Sequence, residues 1–275
     1  MRALSTPAIA RVTDAASGEA TIPIPPSRSA AALLAAIATL PGGASSATEG
    51  GARTVFGGDD RVEIADATGF PMRAVGLVQG DWPGGETGTC TGTLIGPRTV
   101  LTAAHCLYDH AQGGFADAYR FAPALSSGGE APFGVAGFAA AHVPQGFVDA
   151  FDGSYASLLA YDIGLLILDR PIGDEVGHFG FADVPERLPA QAELAGYPAD
   201  KASGTLWSGA CTIERGRVRD GLVLHLCDTA PGASGAALSA GPGMAVAVNV
   251  AESAVFNAAV RLDARWRAWI EQHWQ

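Results

Sequence analysis

The sequence has 275 residues, of which 48% are apolar and 16% are charged. This length allows one large domain or two packed subdomains around a substantial core. The net charge of −11 argues against a nucleic-acid partner, whose phosphates need a positive surface, and no run of eighteen apolar residues is present to cross a membrane.

The first part of the chain differs from the rest, because it is rich in Ala, Ser, Pro and Gly and contains no aromatic residue. We expect a largely irregular leader or propeptide at 1–53, extended at 22–26 and helical at 29–40. The Ala-rich helix is a weak candidate for the apolar core of a signal peptide, so a cleaved signal and a propeptide both remain open. We expect processing between Arg53 and Thr54.

From residue 55 onward, short apolar segments alternate with Gly and Pro, a pattern that predicts strands and turns. The segment 163–168 is a continuous apolar run, typical of a strand buried on both faces, whereas 109–157 is predicted to be rich in loops. No internal repeat and no long βαβ alternation is visible. The predicted strands are 73–78, 89–95, 99–102, 163–168, 191–195, 210–214, 221–227, 236–238 and 244–250.

The C-terminal segment 261–274 has a different period. Its large apolar side chains recur at helical spacing and form one stripe, composed of Leu262, Trp266, Trp269, Ile270 and Trp274. This spacing predicts an amphipathic helix. We expect the stripe to dock on the second set of strands, and a membrane or partner surface is the alternative.

A candidate general base follows the predicted strand 99–102. In the segment TAAHC at 102–106, two small alanines leave room around His105, and Cys106 can tether the turn to Cys90. A base that accepts a proton from a nucleophile needs a fixed and uncrowded position of this kind. A purely structural role is the alternative for a lone histidine, so the choice depends on the residues that accompany it.

Ser234, in the segment PGASG at 231–235, is the candidate nucleophile. A serine hydroxyl needs a base to remove its proton, and Gly232 and Gly235 permit the tight turn that would expose it. The N–H groups of Gly232 and Ser234 would then point together as an oxyanion hole. An ordinary Gly-rich surface turn is the alternative. The Gly-x-Ser-x-Gly motif of α/β-hydrolases is not met, because Ala236 occupies its last position.

Asp162 is the candidate acid that would orient His105 and stabilise its imidazolium form. It stands at the start of the apolar run 163–168, where a buried charge must be paired. By sequence distance alone, the competing carboxylates are Asp149, Asp152 and Asp169.

The four cysteines fall into two pairs of equal spacing, and each pair flanks a proposed catalytic segment. We predict the local disulfides Cys90–Cys106 and Cys211–Cys227, each of which would stabilise the fold by about 3 kcal/mol. No Cys-x-x-Cys pattern supports a zinc site, and we expect neither a metal nor a cofactor. Disulfides imply an oxidising compartment, so we expect a secreted or periplasmic protein.

Together these segments resemble the chymotrypsin-like serine proteases, and the bacterial glutamyl-endopeptidase branch most of all. The resemblance runs from about Thr54 to residue 275 and includes TVFGGDDR at 54–61, CTG at 90–92, TAAHC at 102–106, PIG at 171–173, GYP at 196–198 and DTAPGASG at 228–235. It implies an all-β fold of two packed six-stranded antiparallel Greek-key barrels with a C-terminal α-helix. The barrels would occupy 54–170 and 171–275.

The resemblance gives fewer indications about the substrate. Thr229 matches a threonine that helps to hold an acidic side chain, but Asn249 stands where a pocket histidine is expected, and it brings no positive charge. Glu252 stands where a pocket-edge glycine is usual, and it would repel an acidic side chain. Asp228 has the spacing of the residue that selects Arg or Lys in trypsin, although relatives with an acidic preference carry Asp there too.

A preference for Glu or Asp at P1, the residue before the cleaved bond, is therefore one expectation, and a basic or small side chain remains open. Ala233 precedes the serine, where digestive enzymes of this class have an aspartate that pairs with a freed N-terminus. Glutamyl endopeptidases also lack this aspartate. We therefore expect a zymogen whose activation depends on removal of residues 1–53.

The resulting prediction is a secreted, monomeric serine endopeptidase that acts on protein or peptide substrates. Its triad would be His105, Asp162 and Ser234. The N–H groups of Gly232 and Ser234 would hold the oxyanion. Two alternatives remain open: an inactive homologue that binds peptides or a protein partner through the same cleft, and an esterase.

Overall fold

The computed structural model describes residues 55–275, together with the backbone of two short segments at 13–14 and 19–21. The extended segment predicted at 22–26 and the helix predicted at 29–40 lie outside the described residues. The strands are β1 (Thr13–Asp14), β2 (Glu19–Thr21), β3 (Val62–Glu63), β4 (Val75–Asp81), β5 (Thr87–Leu94), β6 (Thr99–Thr102), β7 (Tyr108–Asp109), β8 (Gly114–Phe115), β9 (Ala118–Pro123), β10 (Phe138–Pro144), β11 (Gly164–Leu168), β12 (Gly180–Phe181), β13 (Ala190–Gly196), β14 (Trp207–Ile213), β15 (Val218–Arg219), β16 (Leu222–His225), β17 (Ala237–Ser239), β18 (Met244–Ala251) and β19 (Asn257–Arg261). The α-helices are α1 (Gln145–Asp149), α2 (Gly173–Val176) and α3 (Ala264–His273).

The first sheet is antiparallel and has the order β1-β2-β10-β11-β6-β5-β4-β9. Without β1 and β2, it is the six-stranded sheet predicted for the first barrel. Its ends approach each other, because Phe121 of β9 exchanges backbone hydrogen bonds with Ala136, just before β10. Strand β2 pairs with β10 and so adds residues 19–21 to this sheet.

The second sheet has the order β15-β16-β19-β18-β17-β13-β14-β3, and β12 pairs with β18. Strands β16 to β14 in this order form the second six-stranded antiparallel run. Strand β3 belongs to this sheet although it precedes the first barrel in the chain, since Val62 is opposite Ser208 and Glu63 is opposite Trp207.

The apolar patterns explain which strands form the interior. All five residues of β11 are buried, as the continuous run predicts. The four residues of β6 are also buried, and they lie between β5 and β11 in the sheet. The interior of the first barrel therefore lies directly beneath the turn that carries His105.

The region 109–157, predicted to be rich in loops, contains two long strands and a short helix. Strand β9 mixes polar and apolar residues, and β10 contains three consecutive alanines and ends at Pro144. Neither segment has the β-branched composition that marks a strand in sequence. Pairing with β4 and β11 is what makes them strands.

The predicted C-terminal helix forms as α3, with Trp266 and Ile270 buried. The Asp263 carboxylate caps its first turn by accepting from the N–H groups of Arg265 and Trp266. The end of the helix docks on the first sheet, and not on the second set of strands as predicted: the ring centroid of His273 lies 4.6 Å from that of His142 on β10, and the Trp274 indole, just after the helix, donates to Ile95 O at 2.9 Å. An amphipathic stripe specifies which face of a helix is buried, but not which sheet that face meets.

Within the described residues, none of the helices has the length and apolar character that a bilayer crossing requires.

Candidate active site

His105 lies in a short 3-10 turn, residues 104–106, that directly follows β6 and the fully buried Ala103. The Cys90–Cys106 disulfide ties this turn to β5, with 6.0 Å between the Cα atoms. The predicted second disulfide, Cys211–Cys227, is present as well. The base is therefore held from both sides of the turn, as the sequence pattern indicates.

Asp162 is completely buried and is hydrogen-bonded twice to His105. Its Oδ2 lies 2.7 Å from the ring Nδ1, and its Oδ1 accepts from the backbone N–H of the same residue at 2.9 Å. The two contacts fix both the ring and its backbone, so the unprotonated Nε2 faces away from the carboxylate. The competing carboxylates contact other groups: Asp149 accepts from Gln145, and Asp152 from the N–H of Ser154.

Two opposing effects determine the pKa of His105. Burial lowers the pKa, but the charge and the hydrogen bond of Asp162 raise it, and the charges of Glu252 and Asp109 raise it further. The net result is a pKa above the usual value of a histidine side chain. Three carboxylates therefore stabilise the imidazolium that forms when this base takes a proton.

Ser234 lies on a loop held by backbone hydrogen bonds to the neighbouring strands. Its carbonyl accepts from the N–H of Thr91 on β5, and the N–H of Gly235 donates to Asn249 O on β18, both at 2.8 Å. Gly235 has φ +84°, and a Cβ there would lie 2.1 Å from Thr102 Oγ1. The loop therefore requires glycine at this position for both conformation and space.

The predicted oxyanion donors have the freedom that this role requires. Among the described residues, neither the N–H of Gly232 nor that of Ser234 has a hydrogen-bond acceptor. The carbonyl of Pro231, which shares a peptide group with the N–H of Gly232, accepts from the N–H of Ala199, and the carbonyl of Ala233, which shares one with the N–H of Ser234, accepts from the Asn249 amide. Both carbonyl oxygens are thus turned away, which leaves the amides to meet a ligand.

His105 and Ser234 line one cleft of about 320 Å³. Its wall includes the first disulfide and Gly232 on one side of the nucleophile, and Glu252 on another. The described residues show no hydrogen bond between the Ser234 hydroxyl and the imidazole. Such contacts are often long in unliganded enzymes and shorten when substrate binds.

Two of the predicted substrate-binding residues have buried side chains with different surroundings. Asp228 accepts from the N–H of Phe56 through Oδ1 at 2.8 Å and from the N–H of Asp60 through Oδ2 at 3.2 Å. Its carboxylate thus anchors the segment that leads into β3. Burial and the charge of Asp228 raise the pKa of Asp60. The hydroxyl of Thr229 is buried and has no hydrogen-bond partner among the described residues.

Asn249, the third predicted substrate-binding residue, is completely buried. Its amide donates to Ala233 O at 3.2 Å, and its Oδ1 lies 3.1 Å from Nε2 of the buried His225. Burial lowers the pKa of His225 to about 4, so at neutral pH this ring is uncharged and can donate from Nε2. Asn249, itself held by His225, thus supports the loop that carries Ser234 through its hydrogen bond to Ala233 O.

The TVFGGDDR motif at 54–61 acquires a physical explanation in the structure. Arg61 is buried and forms hydrogen-bonded ion pairs with Asp59 and Asp200, and Lys201 also pairs with Asp59. A buried guanidinium needs partners of this kind. The motif thus fixes the segment beside Asp228 to the second sheet.

Two residues near the base were not identified from the sequence. The Tyr155 hydroxyl lies 2.8 Å from Nδ1 of His105, and the two rings meet edge to face. Asp109 lines the cleft. Both lie in a region predicted only as loop, and no pattern of spacing marked them.

Neither of the Cys-His-Cys groupings in the described residues offers thiolate ligands. One contains His105 and the other His225, and in both the two sulfurs are joined in a disulfide. A metal ligand requires the free thiolate form of cysteine.

Comparison with known proteins identifies the family. Residues 65–255 match the sequence family described as Trypsin. The chain belongs to the trypsin family of serine proteases. The resemblance noted in the sequence is thereby confirmed.

This trypsin-family chain is 34% identical over 156 residues to glutamyl endopeptidase from Bacillus licheniformis, covering 56% of the chain and 45% of the relative. It is 32% identical over 160 residues to a Bacillus subtilis protein named extracellular metalloprotease, covering 56% of the chain and 48% of the relative. The chain thus matches about half the length of these curated relatives.

Among solved structures, Glu endopeptidase in complex with MPD is similar to this trypsin-family chain, with a TM-score of 0.70 and 25% sequence identity. The match covers 80% of this chain and 98% of the other. The likeness confirms the predicted chymotrypsin-like fold.

Proposed function

We propose that this protein is a serine endopeptidase that cleaves peptide bonds through an acyl-enzyme on Ser234. The observation that carries the proposal is the fully buried Asp162 paired with His105 at the wall of the cleft that Ser234 also lines. Family membership supports the same reaction class.

The proposed reaction follows from the roles of these three groups. Nε2 of His105 removes the hydroxyl proton as Ser234 Oγ attacks the substrate carbonyl, and Asp162 stabilises the resulting imidazolium. The amides of Gly232 and Ser234 stabilise the oxyanion of the tetrahedral intermediate. His105 then gives the proton to the leaving amine. A water molecule, activated by the same ring, releases the acyl group and restores the hydroxyl.

A fluorophosphonate probe followed by peptide mapping tests this proposal. We expect covalent labelling at Ser234, and we expect Ser234→Ala to abolish labelling and to lower kcat by about a million-fold. A folded protein from which residues 1–53 have been removed, and which is neither labelled nor able to hydrolyse any peptide in an unbiased proteome digest, would instead be the peptide-binding homologue. Faster turnover of esters with no peptide turnover would indicate the esterase.

Secretion and processing form a second part of the proposal. The two disulfides support an oxidising, extracellular or periplasmic location. We propose that removal of residues 1–53 yields the mature enzyme, because the family match and the second-sheet anchor at Asp228 both begin after that point. N-terminal sequencing of the mature form tests this, with Thr54 or Val55 expected as the first residue.

A preference for Glu or Asp at P1 is the substrate proposal that the name of the Bacillus licheniformis relative suggests. In this chain its support is Thr229, whose hydroxyl is buried and has no partner among the described residues. Glu252 argues against an acidic preference, because it lines the cleft and its carboxylate would repel an acidic side chain. The same proteome digest decides the matter, since the residues before each cut are read directly.

A further inference from the structure

The charged groups of the cleft all have the same sign. Apart from His105, the ionisable side chains that line it are Asp109 and Glu252. Among the described residues, no Lys or Arg lines this cleft. A low-dielectric pocket lined by one sign of charge concentrates groups of the opposite sign.

One carboxylate oxygen of Glu252 is buried without a hydrogen-bond donor among the described residues. Glu252 directly follows β18, and the shielded oxygen is its Oε1. A buried carboxylate oxygen without a donor is costly. Within the described part of the chain, the only cation-forming side chain in the cleft is His105, whose Nδ1 is already paired with Asp162. The side chain as a whole is half-buried and lines the cleft, so a cation on the substrate would approach the carboxylate there.

Asp228, by contrast, is engaged elsewhere. Both of its oxygens accept backbone N–H groups, from Phe56 and from Asp60. It is also buried and does not line the cleft of His105 and Ser234. A positive charge on the substrate therefore has Glu252, and not Asp228, as its accessible partner.

The cleft also offers an aromatic surface. Trp82 lines it together with Asp109. Indole rings attract ammonium and guanidinium groups that lie over their faces, so a lining tryptophan is compatible with a cationic substrate group. Among the described residues that line the cleft, an acidic side chain would find neither a Lys or Arg nor an unused cationic donor.

We propose that Glu252, assisted by Asp109, is a specificity-determining residue that selects peptides with a cationic side chain, lysine or arginine, beside the scissile bond. The inference rests on the proposed function, because it assumes that Ser234 and His105 attack a peptide in this cleft. It departs from the acidic preference that the name of the glutamyl endopeptidase relative suggests.

The test uses the purified protein, expressed as the full chain, processed to the mature form that begins at Thr54 or Val55, and titrated for active sites with a fluorophosphonate. Fluorogenic peptides differ only in carrying lysine, its uncharged isostere norleucine, or glutamate at one of the two positions on either side of the cut. For at least one position, we expect kcat/KM for the lysine peptide to exceed that for norleucine by about tenfold or more, as for a charge-assisted hydrogen bond. The glutamate peptide should be the slowest of the three.

Variants assign the preference to its source. In Glu252→Gln the ratio of lysine to norleucine turnover should lose most of its excess over one, and in Asp109→Asn it should fall by a smaller factor. Glu271→Gln removes the same charge from the exposed face of α3 and should leave the ratio unchanged. The ratio is compared within each variant, so a lower overall rate does not affect the result. If Glu252→Gln fails to fold, Asp109→Asn still tests the proposal.

The outcomes separate this inference from the proposed function. A protein that labels at Ser234 and hydrolyses peptides, but prefers norleucine or glutamate at every position, would overturn the inference and leave the endopeptidase intact. A lysine preference that survives Glu252→Gln and Asp109→Asn would also overturn it. A protein without labelling or turnover would overturn the proposed function itself.

Discussion

The Tyr155 hydroxyl lies 2.8 Å from Nδ1 of His105, the same nitrogen that Asp162 Oδ2 faces at 2.7 Å. One ring N–H is thus shared between two acceptors, while the phenol can donate to Val250 O at 3.5 Å. Tyr155 thereby connects the ring, which the first barrel carries, to β18 of the second.

We therefore expect Tyr155→Phe to lower kcat by about two- to tenfold while KM and the melting temperature stay near their wild-type values. The phenyl ring retains the edge-to-face contact, and only the hydroxyl that orients the base is lost. Steady-state kinetics and a thermal melt check this. Tyr161→Phe removes a hydroxyl beside α3 and should leave kcat unchanged; an equal loss in both variants would contradict the assignment.

The pH profile should reflect the raised pKa of His105. Since only the neutral ring can act as a base, kcat/KM should fall as the pH drops through that pKa. Asp109→Asn removes one of the charges that raise the pKa of His105, so the acidic limb should move to lower pH. Profiles of kcat/KM against pH measure this, and Glu271→Gln should leave the limb where it is.

His225 should make the fold sensitive to mild acid. Its pKa is about 4 when folded, against an ordinary value of 6.5, because burial disfavours the charged ring. Between these values the unfolded chain binds a proton that the folded chain does not, so stability falls as the pH decreases from 6.5 to 4. The loss attributable to this residue reaches about 3 kcal/mol.

Urea denaturation at several pH values tests this in wild type and in His225→Gln. The variant should show a shallower loss of stability across that window. His178 is exposed, and His178→Gln should keep the wild-type slope. Parallel curves for wild type and His225→Gln would show that the buried ring does not carry the effect.

The nucleophile loop should be intolerant of a side chain at Gly235. At φ +84° an alanine is strained, and its Cβ would lie 2.3 Å from Thr91 O. We expect Gly235→Ala to destabilise the fold by about 2 to 5 kcal/mol and to abolish activity.

Gly241 separates the two causes, because it has φ +99° but no atom within 4 Å of the position that an added Cβ would occupy. Gly241→Ala should therefore cost only about 1 kcal/mol, the backbone contribution alone. Urea denaturation of both variants measures the difference. Equal losses would mean that crowding at Gly235 has no part in the effect.

Asp228 should act on stability and not on substrate choice. Asp228→Asn places an amide group against one of the two N–H donors, of Phe56 or of Asp60, and should cost about 1 to 3 kcal/mol. The ratio of lysine to norleucine turnover should stay at its wild-type value. A ratio near one in this variant would assign the charge selection to Asp228 and not to Glu252.

The sequence was informative where the chemistry is local. The turn that carries His105 and the turn that carries Ser234 each need small residues within a few positions. Both motifs could therefore be recognised in the sequence. Asp162 could be chosen among four carboxylates because it borders a run that had to be buried. The fold class followed from these motifs and from the family they resemble.

The rest depended on contacts between distant segments. Amphipathic spacing predicted α3 and its buried face, but not the sheet it meets. Tyr155 reaches His105 only through the path of its loop. Glu252 stands out in sequence as a departure from the family pattern, whereas its unpartnered oxygen depends on what surrounds it in three dimensions.

The crossed attachment of β3 and α3 has a consequence for the molecule as a whole. The segment ahead of the first barrel completes the second sheet, and the helix after the second barrel covers the first. Each half is thus held in place by a segment that belongs, in chain order, to the opposite end of the protein. We therefore expect that neither half folds when it is expressed alone. Both halves should unfold together in a single thermal transition. The cleft between them can widen only if the contacts of β3 or those at the end of α3 are broken.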